Sequence, residues 1–349
     1  MSDAYAAAGV DARESARAVD ALVGVLRTID LGRPSRSVVA PGHYASVLQV
    51  APNLGVAMST DGVGTKVVVA QQAGRFDTIG IDCVAMNVND VICVGAEPLA
   101  LLDYLGVERA EADMLRDVAV GLKAGAEAAG VEIPGGELAQ LPELVRGHPS
   151  PHGFDLNGAC FGVLALDAVV TGSDCRPGDA VIGVPSSGVH SNGLTLARRA
   201  LLEDAGLGLE DRPVALGGPS VADALLEPTA IYVRAVVELL RSHLPVHGLA
   251  HITGDGLLNL LRLEADVGFV IDSPLPSPPV FGLIQGAGDI SDAEMHEVFN
   301  MGCGFACVVP DDAAEEATAL LGTHHPGTAR IGQVTDRAGE VEVAGLGRL

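Results

Sequence analysis

Four glycine-punctuated polar clusters combine small residues with carboxylates, hydroxyls or an imidazole. They are Asp61-Gly62-Val63-Gly64-Thr65-Lys66, Asp82 with Asn87 and Asp90, Gly135-Gly136-Glu137, and Ser186-Ser187-Gly188-Val189-His190-Ser191-Asn192-Gly193. Backbone N–H groups and hydroxyls hold phosphate oxygens, and carboxylates hold the accompanying magnesium ion. Each cluster alone is more often a simple tight turn. Since neither a G-x-x-x-x-G-K-[ST] loop nor a G-x-G-x-x-G fingerprint is present, a nucleotide site here is of another kind.

Asp82 and Asp90 stand eight residues apart on a predicted helix. They lie about 80° apart around its axis, so both carboxylates can face one metal ion. The alternative is a polar helix face turned to water. Because Asp82 has apolar neighbours such as Ile81 and Val84, and an aspartate in such surroundings needs a partner, we favour the metal interpretation.

Histidines offer three further candidates. His190 lies among small polar residues, where it could donate to a phosphate or carry a proton, although a lone histidine is more often structural. A similar cluster is His251-Ile252-Thr253-Gly254-Asp255-Gly256. His148 and His152 have a metal-like spacing, but the prolines around them predict a surface turn.

The composition excludes several classes of partner. The chain has 349 residues and a formal charge of −24, from 45 acidic and 21 basic residues, which opposes binding to nucleic acid or to an anionic membrane. No apolar run is long enough to span a membrane, and the N-terminus lacks a signal-like pattern, so we expect a cytoplasmic protein. The six cysteines lack paired spacing and are expected to be reduced. Only two lysines occur, so Lys66 beside a glycine turn stands out.

Strand-like and helix-like segments alternate, which predicts a mixed α/β or α+β protein. The length suits two domains, which we divide near Asp167 into residues 1–167 and 168–349. The predicted helices are a segment within the first thirty residues, Thr78 to Val94, Ala112 to Ala129, Leu194 to Asp204 and Ala222 to Leu240. The predicted strands are Val56 to Ser59, Leu99 to Tyr104, Phe161 to Leu166, Ala180 to Val184 and Gly302 to Val309.

The segment from Asp90 to Pro98 fits the pattern D-x4-G-A-x-P. This pattern is the signature of an ATP-dependent superfamily that includes selenophosphate synthetase, thiamine-phosphate kinase and a hydrogenase maturation factor. Within it the chain most resembles the aminoimidazole ribonucleotide synthetase (phosphoribosylformylglycinamidine cyclo-ligase) family. The matching segments run in order through Ala8 to Asp11, Thr60 to Lys66, Gly80 to Asp90, Leu101 to Tyr104, Ser186 to Gly193, Glu227 to Val233, His251 to Gly254 and Phe299 to Gly302.

The resemblance implies an N-terminal α/β domain that forms a β-barrel with a partner subunit in a homodimer, a C-terminal α+β domain, and an ATP cleft between them. It implies an ATP- and Mg²⁺-dependent ring closure of formylglycinamidine ribonucleotide to aminoimidazole ribonucleotide. The implied metal ligands are Asp61, Asp82, Asp90 and Glu137. The implied catalytic residues are Lys66, Asp103 and His190. The implied nucleotide and substrate contacts are Thr60, Gly62, Val63, Gly64, Thr65, Asn87, Gly135, Gly136, Ser191, Asn192, Thr253 and Gly254.

Three segments depart from the family pattern. The usual glycine-rich run before Thr60 is replaced by the segment from Gly32 to Tyr44, Gln140 stands where a carboxylate is common, and Asp255 interrupts a glycine run. Two other functions remain open. One is a different phosphoryl-activating enzyme of the superfamily, and the other is a silent nucleotide-binding paralogue, although Asp61 and Asp90 are both present.

Overall fold

The computed structural model describes residues 12–349, so the matching segment Ala8 to Asp11 lies outside the described residues. The α-helices are α1 Ala12–Leu26, α2 Lys66–Ala73, α3 Ile79–Ile92, α4 Ala112–Ala129, α5 Leu194–Arg198, α6 Val221–Leu226, α7 Val233–Arg241, α8 Pro279–Gly288, α9 Asp292–Val298 and α10 Ala314–His324. The strands are β1 Ser46–Ala51, β2 Leu54–Gly62, β3 Glu97–Val107, β4 Glu132–Gln140, β5 Phe154–Leu164, β6 Ala180–Pro185, β7 Gly248–His251, β8 Gly268–Ile271, β9 Cys303–Val309, β10 Ala329–Thr335, β11 Val341–Val343 and β12 Gly347–Arg348.

The first sheet has five strands in the order β1-β2-β5-β3-β4. Only the β3–β4 pair is parallel. Burial alternates along β5, as expected for a sheet with one covered face. The covered face packs against α3, and glycines on β5 allow the close approach. A Cβ on Gly158 would lie 2.6 Å from Asn87 Nδ2, and one on Gly162 would lie 2.6 Å from Val91 Cγ1.

Helix α3 is the central element of this half. Apart from Ile81 and Asp90, its residues are all buried, between the sheet on one side and α4 on the other. Gly80 permits the contact with α4, since a Cβ there would lie 2.0 Å from the backbone nitrogen of Leu122. A polar residue on so buried a helix must find a partner inside the protein. The polar residues of α3 therefore define the interior of the candidate site.

The second sheet has seven strands in the order β12-β11-β8-β10-β6-β9-β7. Only β11 and β8 pair in parallel. Strand β9, which lies between β6 and β7, is buried throughout and carries Cys303 and Cys307 in the core. All six cysteines are free and buried, in agreement with the expectation of reduced thiols. The predicted domain boundary at Asp167 lies in a short 3₁₀ turn, Leu166–Ala168, between the two sheets.

Most predicted elements are confirmed, including the helix from Ala112 to Ala129, which ends at Gly130 in the left-handed conformation. The predicted helix from Ala222 to Leu240 is wrong. The chain forms α6 and α7 separately, because Pro228 cannot continue a helix and residues 227–232 are extended or irregular. The predicted helix from Leu194 to Asp204 is α-helical only to Arg198 and continues as a π-helical turn, Arg199–Asp204.

The first sheet is open. The resemblance predicted a barrel formed with a partner subunit; among residues 12–349 neither sheet closes into a barrel by itself, and the dimeric barrel stays a prediction. No helix in the same residues is long and apolar enough to cross a membrane.

Candidate active site

Two carboxylates meet where β2 runs along α3. Asp61 lies at the end of β2, and Asn87 of α3 fixes its backbone: the Asp61 N–H donates to Asn87 Oδ1 at 2.9 Å, and Asn87 Nδ2 donates to the Asp61 carbonyl at 3.1 Å. Asp90, one turn further along α3, accepts a hydrogen bond from His251 Nδ1 at 2.8 Å and a longer one from Ser59 Oγ at 3.4 Å. Burial raises the pKa of Asp61, and the nearby charge of Asp90 raises it further. Negative charge is therefore incompletely neutralised here.

The glycine turn after Asp61, Gly62–Thr65, lies against the serine-rich loop of the other domain, residues 186–193. Gly64 adopts φ +68°, and a Cβ on it would lie 3.8 Å from the Ser191 carbonyl oxygen. The hydroxyls of Thr65 and Thr195 are 3.0 Å apart across the same junction. Segments about 130 residues apart in the chain thus come together at this junction.

The serine-rich loop, residues 186–193, also approaches the cluster from His251 to Gly256. A Cβ on Gly254 would lie 3.6 Å from Asn192 Oδ1. Asn192 Nδ2 is buried and has no hydrogen-bond partner, and neither has Ser186 Oγ. Unsatisfied buried donors are costly unless a ligand completes them, so this loop is a candidate for contact with a bound anion. The remaining residues of the cluster from His251 to Gly256 are held by Asn259, whose Nδ2 donates to the carbonyls of Gly254 and Gly256.

Lys66 and Asp82 lie inside the protein. Their side chains are fully buried, and Lys66 Nζ lies 2.8 Å from Asp82 Oδ1. Asp82 Oδ1 also accepts from the backbone N–H and the hydroxyl of Thr229, at 2.8 and 2.6 Å. Lys66 is therefore committed to a carboxylate of its own domain, and its predicted contact with phosphate stays a prediction.

His190 is buried as well. Its Nε2 accepts hydrogen bonds from the backbone N–H groups of Ser187 at 3.2 Å and Ala230 at 3.5 Å. Burial holds the pKa of His190 well below its usual range, and the charges of His251 and Lys66 lower it further. The imidazole is therefore neutral with its proton on Nδ1, which suits it to hold the loop in shape.

Asp103 and the Gly135–Glu137 cluster lie at a second place on the first sheet. Asp61 and Asp103 both pair with Gly158, and Asp103 pairs in turn with Gly136. Three strand spacings therefore separate Asp61 from Gly136, about 14 Å. The structure does not bring Glu137 together with Asp61 and Asp90.

A cleft of about 510 Å³ opens between β3, β4 and α4. It is lined by Asp103, Leu105, Leu115, Val118, Ala119, Leu122, Lys123, Ile133, Gly136, Glu137 and Leu138. Burial raises the pKa of Asp103. Apolar walls with a half-buried carboxyl, that of Asp103, are typical of a site for a planar ring that offers polar edges.

Among residues 12–349 the structure holds no preformed metal centre. Across the described part of the chain, no three His, Cys, Asp or Glu side chains are grouped closely enough to hold a metal ion by themselves. Asp61 and Asp90 are a pair. Asp82 lies apart from them, bound to Lys66 inside the protein, and Glu137 lies on β4, on the far side of β3.

Sequence reasoning missed the residues that act through the backbone. Asn89 and Thr229 are buried and bond groups from segments far apart in the chain, and the buried Asn259 bonds carbonyls of its own turn. Arg262 was also missed, and its guanidinium lies 5.2 Å from the centre of the Tyr44 ring. In the sequence these residues stand out only as polar residues next to apolar runs, and that pattern does not indicate which groups they bind.

The two-domain α/β fold defines a class that includes proteins of known structure. A crystal structure of the hydrogenase maturation protein HypE in complex with ATP superposes with a TM-score of 0.63, at 25% identity over 87% of this chain and 86% of that one. A thiamine-monophosphate kinase from Stenotrophomonas maltophilia superposes with a TM-score of 0.62, at 20% identity over 89% and 92% of the two chains.

Sequence relatives narrow this class. The models of the AIR synthase related protein family match residues 42–164 with the N-terminal domain and residues 176–344 with the C-terminal domain. A phosphoribosylformylglycinamidine cyclo-ligase of Thermococcus gammatolerans is 47% identical over 96% of each chain, and one of Methanothermobacter thermautotrophicus is 46% identical over 97% of this chain and 96% of the relative. The chain belongs to the AIR synthase related protein family.

Proposed function

We propose that this protein is an ATP-dependent cyclo-ligase that converts formylglycinamidine ribonucleotide to aminoimidazole ribonucleotide in purine biosynthesis. The observation that carries the proposal is the 46–47% identity to cyclo-ligases over nearly the full length of both chains. The geometry of the candidate active site agrees with such a reaction, because paired carboxylates, a glycine turn and a hydroxyl-rich loop meet between the two domains.

The chemistry requires activation of an amide oxygen, which is a poor leaving group. Transfer of the γ-phosphoryl group of ATP to the formyl oxygen gives an imidate phosphate and ADP. The amidine nitrogen then attacks the formyl carbon, the C–N bond closes the ring, and phosphate leaves with the former formyl oxygen. The protein needs to position the reactants and neutralise charge, and it needs no covalent nucleophile.

Magnesium fits Asp61 and Asp90. Mg²⁺ is usually held by one or two carboxylates together with substrate phosphates, and two partly neutralised carboxylates without a third ligand match that arrangement. When bound with ATP, the ion would neutralise phosphate charge. Asn87 holds Asp61 in place, and His251 orients Asp90. Two sides of the junction would contact phosphate or substrate. One is the glycine turn Gly62–Thr65 with Thr60 before it, and the other is formed by Ser191, Asn192, Thr253 and Gly254.

The base of ATP has a candidate position in the cleft beside Asp103. Its apolar walls suit a purine ring. Gly136 lines the cleft beside Asp103, and next to it on β4 is Gly135, where a Cβ would meet nothing within 4 Å. A nucleotide that reaches from this cleft to Asp61 and Asp90 would place its phosphates at the junction of the domains. This placement gives Asp103, Gly135, Gly136 and Glu137 a role at the nucleoside end.

A second copy of the chain would cover the outer face of the first sheet. Leu48, Leu102 and Tyr104 lie exposed on the face opposite α3. Exposed apolar sheet surface of this kind marks an association surface, so we propose a homodimer, with the barrel completed across the interface. Light scattering in solution measures the mass directly. The buried reduced cysteines suit a cytoplasmic location.

The test is phosphate release from ATP and magnesium, with and without formylglycinamidine ribonucleotide, together with detection of the aminoimidazole product. Release that depends on the ribonucleotide and is matched mole for mole by product supports the proposal. Phosphate transfer to another small molecule, with none to this ribonucleotide, would instead identify a different phosphoryl-activating enzyme of the same fold. ATP binding without any turnover would identify a silent paralogue.

A further inference from the structure

The six residues between α6 and α7 form a segment, Glu227 to Tyr232, that links the two halves of the site. We call it the 227–232 segment. It is not helical, so its backbone groups have no regular partners of their own. Side chains from both domains bind these groups.

From the N-terminal domain, three buried side chains hold the 227–232 segment. Lys66 Nζ donates to the Glu227 carbonyl at 2.6 Å. Asp82 Oδ1 accepts from both the N–H and the hydroxyl of Thr229. Asn89 Nδ2 donates to the Ala230 carbonyl at 2.9 Å, and its Oδ1 accepts from the Tyr232 N–H at 3.0 Å. Asp82 and Asn89 lie seven residues apart, on one face of α3.

From the C-terminal domain, the serine-rich loop holds the same segment. Ser187 Oγ donates to the Pro228 carbonyl at 2.5 Å. His190 Nε2 accepts from the Ala230 N–H at 3.5 Å, and the hydroxyls of Ser191 and Thr229 lie 3.3 Å apart. The loop that carries Ser191 and Asn192 is therefore connected to α3 through the 227–232 segment.

Most side chains of this network are buried, and Ser187 and Ser191 are half-buried. Lys66, Asp82, Asn89, His190 and Thr229 are each at most 2% exposed. In such surroundings a lost partner is not replaced by water, so the arrangement has little freedom to shift. The charge of Lys66 is matched by Asp82 inside the protein and not by a group at the junction.

We infer that Lys66, Asp82 and Thr229 are positioning residues, which set the place of Ser191 and Asn192 over the glycine turn through the 227–232 segment. This role rests on the proposed function, since the reactants it positions are those of the cyclo-ligase reaction. It differs from a direct contact of Lys66 with phosphate or of Asp82 with metal, because neither side chain reaches the surface.

Thr229→Val is the decisive variant. It removes the hydroxyl that joins Asp82 to Ser191 and leaves Lys66, Asp82 and their charges unchanged. We expect kcat to fall about tenfold with a smaller change in the KM for ATP, because even slight misplacement of a reacting group lowers the rate. We also expect amide hydrogen exchange in residues 186–193 and 227–232 to quicken several-fold. Thr229→Ser keeps the hydroxyl and should restore both values to those of the wild type.

Asp82→Asn is the companion variant, with a larger expected loss of kcat, about 100-fold, and the same pattern of faster exchange. Arg241→Gln is the matched control, because it breaks an exposed ion pair between the domains, with Glu97, outside the network. It should leave kcat and exchange unchanged.

Two results would overturn the inference. One is wild-type kcat and exchange in Thr229→Val while Asp82→Asn is inactive, which would return Asp82 to a direct role. The other is faster exchange in Arg241→Gln equal to that in Thr229→Val. Hydrogen exchange needs no substrate, so a wild-type protein that does not form the product would count against the proposed function and leave this part of the test intact.

Discussion

Helix α3 carries one aspartate near each end, and the protein treats the two in opposite ways. Asp82 is fully buried and bound to Lys66 and Thr229. Asp90 keeps 17% of its side chain exposed, faces His251, and lies near a second carboxylate, Asp61. Residue type and helix are the same, so the difference lies in what the rest of the chain brings to each end.

The comparison distinguishes a structural carboxylate, Asp82, from the carboxylate of a candidate ligand site, Asp90. A carboxylate matched by a lysine inside the fold has no need of an outside cation. Burial and the nearby charge of Asp90 raise the pKa of Asp61, so a cation bound between the two carboxylates would be favourable. The Asp82 end therefore holds the domains in register, and the Asp90 end is where magnesium and phosphate would bind.

The largest effect is expected at the Asp82 end. Lys66→Met leaves the buried Asp82 charge without its partner, which should lower the free energy of unfolding by about 3–5 kcal/mol. Urea denaturation measures this. The double variant Lys66→Met with Asp82→Asn removes both charges and should recover part of the loss. A single variant as stable as wild type would contradict the buried pair.

At the Asp90 end, we expect activity to change much more than stability. Asp90→Asn should lower kcat by about 100- to 1000-fold, because it removes one of two ligands proposed to neutralise the transferring phosphate. Its unfolding free energy should change far less than that of Lys66→Met. Steady-state kinetics and urea denaturation on the same preparation check both. Equal losses in the two variants would remove the contrast between the ends.

The cleft beside Asp103 supplies a third prediction, with neighbouring glycines as variant and control. A Cβ on Gly136 would lie 2.2 Å from Asp103 Oδ1, whereas one on Gly135 would meet nothing within 4 Å. Gly136→Ala should raise the KM for ATP about tenfold, equivalent to about 1.4 kcal/mol, by displacing Asp103. Gly135→Ala should leave it unchanged. If both variants bind ATP normally, the base does not occupy this cleft.

The smallest effect is expected for Asp61→Asn without ligands. Because the pKa of Asp61 is raised in the fold, the native state binds more protons than the unfolded state between the usual and the raised pKa, so stability falls as pH rises through that window. The variant should lose this dependence and gain about 1 kcal/mol at neutral pH, since sites built for ligands are often costly to stability. Thermal denaturation across pH measures it, and a less stable variant would show that Asp61 is already neutralised.

The sequence predicted the elements of this comparison better than their contacts. Helix α3 was found from its apolar spacing, and the buried position of Asp82 followed from its apolar neighbours. Thr229, which binds Asp82, and His251, which binds Asp90, lie 147 and 161 positions away along the chain, and no local pattern encodes that. Sequence analysis predicted a helix across Pro228 and therefore missed the 227–232 segment. The apolar residues around this segment repeat at helical spacing, but its backbone groups bond to side chains.

The resemblance to a family assigned roles to residues that local patterns had already singled out. It made His190 and Lys66 catalytic candidates, but a motif does not show burial, and both side chains lie inside the protein. The open sheet shows the same limit, since a barrel that depends on a second copy is not a property of one chain.

The magnesium concentration that gives half-maximal turnover tests the contrast between the two ends most directly. It should be measured at saturating ATP and ribonucleotide for the wild type, Asp90→Asn and Asp82→Asn. We predict that Asp90→Asn needs at least tenfold more magnesium, while Asp82→Asn turns over slowly at the wild-type magnesium requirement. A raised requirement in Asp82→Asn with an unchanged one in Asp90→Asn would contradict the account.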